Sequence, residues 1–126
     1  MATIKSYTDL TQSKKLAEIL PLESADMCYP YDRYLNKMYG DIPYVMGYKK
    51  FNKDIDIPCW SLAALLDILP LEIETHKQTD GYKTYYYVES YMKRMGKETY
   101  LSTERHENLV DACVEMIFTL NERNLL

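Results

Sequence analysis

Two histidines, three cysteines and an excess of tyrosine are the residues of this 126-residue chain whose types could do chemistry. A zinc site needs three or four converging ligands. His76 and His106 lie far apart in sequence, and His106-Glu107 opens like H-E-x-x-H but meets Val110 where the second histidine would stand. Two solvated histidines are therefore expected, with no metal and no cofactor. Cys28, Cys59 and Cys113 are odd in number and widely spaced, without a C-x-x-C pair. They read as free thiols of a reducing compartment. Only Cys59 falls near an expected helix start, where a thiolate would be stabilised. No G-x-S-x-G occurs, and Gly40, Gly47, Gly81 and Gly96 form neither a P-loop nor a G-x-G-x-x-G. Catalysis would need a site assembled from distant residues, with His76, Glu74 and a tyrosine as the candidates.

Thirteen tyrosines stand against two phenylalanines and one tryptophan. Tyrosine joins a large apolar ring to one polar handle, which suits half-buried sheet faces and binding surfaces. A core of this size does not need so many rings, so a subset is expected on the surface. Tyr85, Tyr87 and Tyr91 are the first candidates, because alternate residues of a strand share a face. Lys93 and Arg94 follow them directly, and Lys97 completes a basic cluster.

Aromatic rings beside basic residues are also how single-stranded nucleic acid is bound. The charge argues against it here. The net charge is −4, and residues 58–126 hold eleven acidic groups against seven basic ones. Nucleic acids and anionic membrane surfaces select a basic field. The longest apolar run, Leu62–Leu69, contains Asp67 and falls short of the roughly 20 residues of a membrane span. The polar start MATIKSYTDL does not read as a signal peptide, so a cytoplasmic protein is expected.

A chain of this length favours a single domain over residues 1–126. Residues 9–20 read as a helix opened by an Asp9–Gln12 capping box and stopped by Pro21. Residues 28–43 read as irregular, and 44–51 as a short strand. Residues 58–69 read as a buried helix with Pro58 in the first turn or Ser61 as N-cap. Leu62, Leu65, Leu66 and Leu69 line one side, with Ala64 and Ile68 on the opposite flank, so packing on more than one face is expected. Trp60 ahead of it is a core anchor whose indole N–H needs a partner.

Residues 71–78 and 82–91 read as a β-hairpin around Asp80-Gly81. A two-residue turn pairs Ile73 with Val88 and turns Tyr86 to the core. A three-residue turn with a bulge pairs Ile73 with Tyr87, and the pattern leaves both open. Residues 104–122 carry a continuous apolar stripe of Leu109, Ala112, Cys113, Met116, Ile117 and Leu120, with acidic residues opposite. Ser102 or Asn108 would cap that helix.

Three blocks resemble small uncharacterised proteins frequent in phages and mobile elements of gut anaerobic bacteria. They are Ser24-Ala25-Asp26-Met27, the run Ile57-Pro58-Cys59-Trp60-Ser61-Leu62 continuing to Pro70, and Asp111-Ala112-Cys113-Val114-Glu115-Met116-Ile117. Residues 28–56 lie outside the resemblance. It implies a bacterial or phage cytoplasmic setting and carries no functional residue.

The fold expected is α+β: a small antiparallel sheet around the 71–91 hairpin, helices 58–69 and 104–122 on one face, and the N-terminal helix at an edge. The function expected is a non-catalytic binding or accessory protein. Its aromatic surface, Tyr85, Tyr87 and Tyr91 with Lys93 and Arg94, would meet a protein partner or a second copy as a homodimer. Single-strand nucleic-acid or nucleotide binding through the tyrosines and Lys93–Lys97 is the first alternative, and an enzyme the second.

Overall fold

A computed structural model describes residues 5–32, 37–38, 42–45 and 56–126. The fold is α+β, and the chain divides into two compact units, Ser6–Ala64 and Leu65–Leu126, with Lys5 joining the second. In chain order the elements are α1 (Leu10–Leu16), a 3₁₀ turn (Leu22–Ser24), β1 (Met27–Tyr29), β2 (Tyr31–Asp32), β3 (Lys37–Met38) and β4 (Tyr44–Val45). They continue with β5 (Ile57–Cys59), α2 (Leu62–Ile68), β6 (Ile73–Asp80), β7 (Lys83–Arg94), β8 (Lys97–Ser102) and α3 (Leu109–Glu122).

In the first unit, Asp9 and Gln12 form the expected reciprocal capping box, with Gln12 N–H donating to Asp9 Oδ1 at 2.8 Å. The helix ends at Leu16, ahead of Pro21, and a turn carries the chain onward. The stretch read as irregular holds strand β1, which is central in the order β4-β1-β5. Of the strand expected over 44–51, β4 supplies Tyr44–Val45, and residues 46–51 lie outside the described set.

Residues 57–59 are strand rather than helix. Pro58 lies opposite Cys28 on edge strand β5, a place where a missing N–H can be tolerated. Pro58 suits a first helical turn and an edge strand equally, which is why the residue type did not separate them. Ser61, the alternative cap, accepts the Ala64 N–H at 3.2 Å and starts α2. That helix is not packed all round: Leu65 and Leu69 are buried, but Leu66 is exposed.

A buried polar hub ties α1 to β5. The Thr8 carbonyl accepts the Tyr29 hydroxyl at 2.8 Å and the Cys59 thiol at 3.3 Å, while Thr8 Oγ1 accepts the Trp60 N–H at 3.1 Å. Buried polar groups are tolerable only when paired in this way. Trp60 is fully buried, and its indole N–H donates to Ser24 Oγ at 3.0 Å, supplying the partner the sequence demanded. Within its own unit the N-terminal helix thus packs with β5.

The second unit is built on a sheet of order β6-β7-β8. Its first turn is Gly81-Tyr82, closed by the Asp80–Lys83 pair. Gly81 has φ +63, and glycine at the first central position is the mark of a type II′ turn. The turn lies one residue later than a central Asp80-Gly81 would give. Ile73 therefore faces Ser90, and neither expected register is the real one. The offset is two residues in the pairing sum, so the side-chain parity of the two-residue reading survives: Tyr86 shares its face with Val88, Ser90 and Met92.

A third strand, β8, extends the hairpin into a meander through Met95-Gly96, both at positive φ, as a type I′ turn requires. Helix α3 packs against β7. Asn108, one of the two expected caps, accepts the Asp111 N–H at 2.8 Å. Val110, Ala112, Cys113, Val114, Met116, Ile117 and Leu120 are all buried, a wider band than the expected stripe. Burial pushes the Cys113 thiol up to about 12. No described helix is long and apolar enough to cross a membrane.

Candidate functional site

The meander separates its two faces by strand parity. On β7 the residues Val88, Ser90 and Met92 are buried, while Tyr85, Tyr87, Glu89, Tyr91 and Lys93 alternate with them on the other side. The register places Glu74, His76 and Gln78 of β6 and Glu98, Tyr100 and Ser102 of β8 on that same second face. Tyr85, Tyr87, Tyr91 and Lys93 of the expected surface thus share one face. Arg94 does not: parity turns it to the other side, where its guanidinium is 3.4 Å from Glu72. Lys97 lies opposite Arg94, so these two share one face while Lys93 stands on the other, and the basic cluster is divided between the faces.

The tyrosine row differs in exposure. Tyr91 is 54% exposed, and Tyr85 and Tyr87 are half-buried. The ring beside Tyr91 is Tyr100 of β8, 61% exposed and directly opposite it. The Tyr91 N–H goes the other way, to the Glu72 carbonyl at 3.2 Å. Its pair with Tyr100 is therefore the non-hydrogen-bonded kind, in which side chains approach most closely. Each ring meets a carboxylate diagonally across the strands. The Tyr100 hydroxyl donates to Glu89 Oε2. Glu98 lies against the Tyr91 hydroxyl, and this contact raises the Tyr91 pKa. The bond to Glu89 raises that of Tyr100 in the same way.

Glu89 also connects to β6. Its Oε1 is 3.0 Å from His76 Nε2, with Glu74 Oε2 at 3.5 Å from the same nitrogen. These are ion-pair distances without hydrogen-bond alignment, since Nε2 is buried and has no hydrogen-bond partner. The imidazole stacks on Tyr87, with centroids 4.6 Å apart and planes 11° from parallel. Glu74 and Glu89 are direct cross-strand partners, so two carboxylates face each other, an unfavourable pairing in a sheet.

Neither histidine is simply solvated, contrary to expectation. His76 belongs to the stack just described. His106 forms a backbone bridge with Tyr86 and sets its Nε2 2.8 Å from Glu115 Oε1. Glu115 also accepts the Glu104 N–H, at 3.2 Å, so this residue of the acidic helix side anchors the segment entering α3. Among the described residues, no group of three or more His, Cys, Asp or Glu side chains could hold a metal ion.

The three cysteines are buried. Burial raises the Cys59 thiol, the opposite of what a reactive thiolate needs. His76, Glu74 and Tyr87 do come together, but on the open sheet face. A cleft of about 530 Å³ lies at the turn end of the hairpin, among Lys77, Tyr82, Lys83, Tyr85, Tyr86 and Glu107, and takes in Tyr85 of the open face. The Lys77 ammonium there sits 6.0 Å from the Tyr86 ring centroid.

Sequence reasoning missed Tyr100, Glu89 and Glu98. The available signal was Thr99-Tyr100-Leu101, a short strand-compatible run after the X-Gly turn at Met95-Gly96. Comparison of the chain with protein-family models, curated proteins and solved structures returns no match.

Proposed function

We propose that this chain is a binding protein whose contact surface is the open face of the β6-β7-β8 sheet. The observation that carries this reading is the Tyr91–Tyr100 pair: two neighbouring rings, both more than half exposed, on a face opposite a buried one. Tyrosine is enriched in protein interfaces because it offers large, stiff contact area with a polar rim. The partner is a protein. Glu74, Glu89 and Glu98 on the same face oppose a polyphosphate backbone. They also oppose a second copy presenting the same face, which would set like carboxylates against each other. The resemblance to phage and mobile-element proteins fits an accessory protein in a bacterial cytoplasm.

Selection of binders from a displayed random-peptide library tests this reading. Enriched peptides are expected to lose at least about tenfold in affinity for the Tyr91→Ala/Tyr100→Ala double variant, as removal of interface anchors does. A Leu22→Ala control in the first unit is expected to leave binding unchanged. Peptides that bind the double variant as well as the wild type would refute it, and so would failure to enrich any peptide.

A further inference from the structure

The charge and geometry of this face specify the partner further, an inference that rests on the reading above. We infer that the face receives an arginine-bearing protein segment, with a guanidinium seated on the Tyr91–Tyr100 rings and held by Glu89 on one side or Glu98 on the other. Three features point the same way. Both rings turn their hydroxyls to carboxylates, which leaves the aromatic faces as the open surface. A cation over such a ring is attracted by its quadrupole.

The carboxylates outnumber their neutralising groups on the described face. Asp80, Glu74, Glu89 and Glu98 share it with Lys83 and Lys93 and with His76, whose Nε2 makes no hydrogen bond. The directly opposed Glu74 and Glu89 gain when a cation arrives between or beside them, because their mutual repulsion is relieved. Finally, the guanidinium is planar. A guanidinium can stack on a ring while its edge bonds a carboxylate, which an ammonium cannot do. Glu89 stands beside the Tyr100 ring and Glu98 beside the Tyr91 ring, so a guanidinium stacked on either ring has a carboxylate for its N–H donors.

The test is an amide-shift titration of the whole chain with a hexa-arginine peptide and with a hexa-glutamate peptide. Hexa-arginine is expected to shift the amides of β7 and β8, and to bind roughly tenfold more weakly to Glu89→Gln/Glu98→Gln. Binding is expected to weaken in high salt as well. Glu18→Gln/Glu23→Gln, which removes two acidic groups from the first unit, is the control for general attraction to an acidic protein and is expected to change nothing. Tyr91→Leu/Tyr100→Leu keeps apolar area but removes the π faces, and a loss of about fivefold is expected.

Equal shifts with hexa-glutamate, or unchanged hexa-arginine affinity in the glutamine variant, would overturn the inference. If library-selected peptides still mapped to the face in that case, the binding reading would stand without its basic partner. If no peptide of any charge touched the face, both would fall.

Discussion

The two faces of one strand, β7, follow opposite rules. Its even residues Val88, Ser90 and Met92 are buried, while its odd residues Tyr87, Glu89 and Tyr91 carry aromatic and charged groups outward. Packing decides the first face. Nothing in the packing of this unit decides the second, yet it is the more organised in polar contacts: a histidine stacked on a tyrosine, two opposed carboxylates, and two phenols each against a glutamate. A solvated face kept only for solubility would need charge and no aromatic rings. The contrast is that Tyr85, Tyr87, Tyr91 and Tyr100 stand together on the face opposite the buried one.

The comparison breaks most visibly under paired truncations. Met92→Ala should cost about 2–5 kcal/mol, since a fully buried side chain leaves a cavity that the surroundings fill only in part. Tyr91→Ala, one residue away, should cost less than about 1 kcal/mol, the worth of a cross-strand pair on an exposed face. Urea unfolding of both variants checks this. Equal losses would mean that Tyr91 supports the fold and is not free for a partner.

Titration sharpens it further. Cys113 lies on the buried side of α3, with its thiol raised from 9.0 to about 12. A group raised on folding stabilises fully below its unfolded pKa and loses that contribution as pH climbs toward the folded value. The melting temperature should therefore fall as pH rises above about 9. Cys113→Ala should flatten the slope without abolishing it, because Cys59 shifts in the same direction. An unchanged slope would remove Cys113 from the buried layer.

Legibility in the sequence followed the length and redundancy of each signal. Helix α3 was legible because six apolar residues agreed on one stripe and Asn108 supplied its cap. That β7 is a strand was legible because YKTYYYVESY is rich in strand-forming residues, while its parity stayed open between the two turn readings. The register was not legible, since Asp-Gly and Gly-Tyr both make two-residue turns and only the observed φ of Gly81 separates them. Strand β1 is three residues long, too short for a period to show. Of the site, Tyr87, Tyr91 and the Glu74–His76 neighbourhood could be named. Their union with Tyr100, Glu89 and Glu98 depended on β8, whose signal is a lone X-Gly turn and the short run Thr99-Tyr100-Leu101. Cross-strand partners are set by register, and register is a tertiary fact.

The most direct test of the open face is hydroxyl-radical footprinting of the tyrosines, with and without a peptide selected on the intact protein. Protection concentrated on Tyr91 and Tyr100, with buried Tyr29 unreactive throughout, is the expected result. Tyr91 and Tyr100 labelling equally in the free and bound protein would contradict the placement of the binding surface on this sheet.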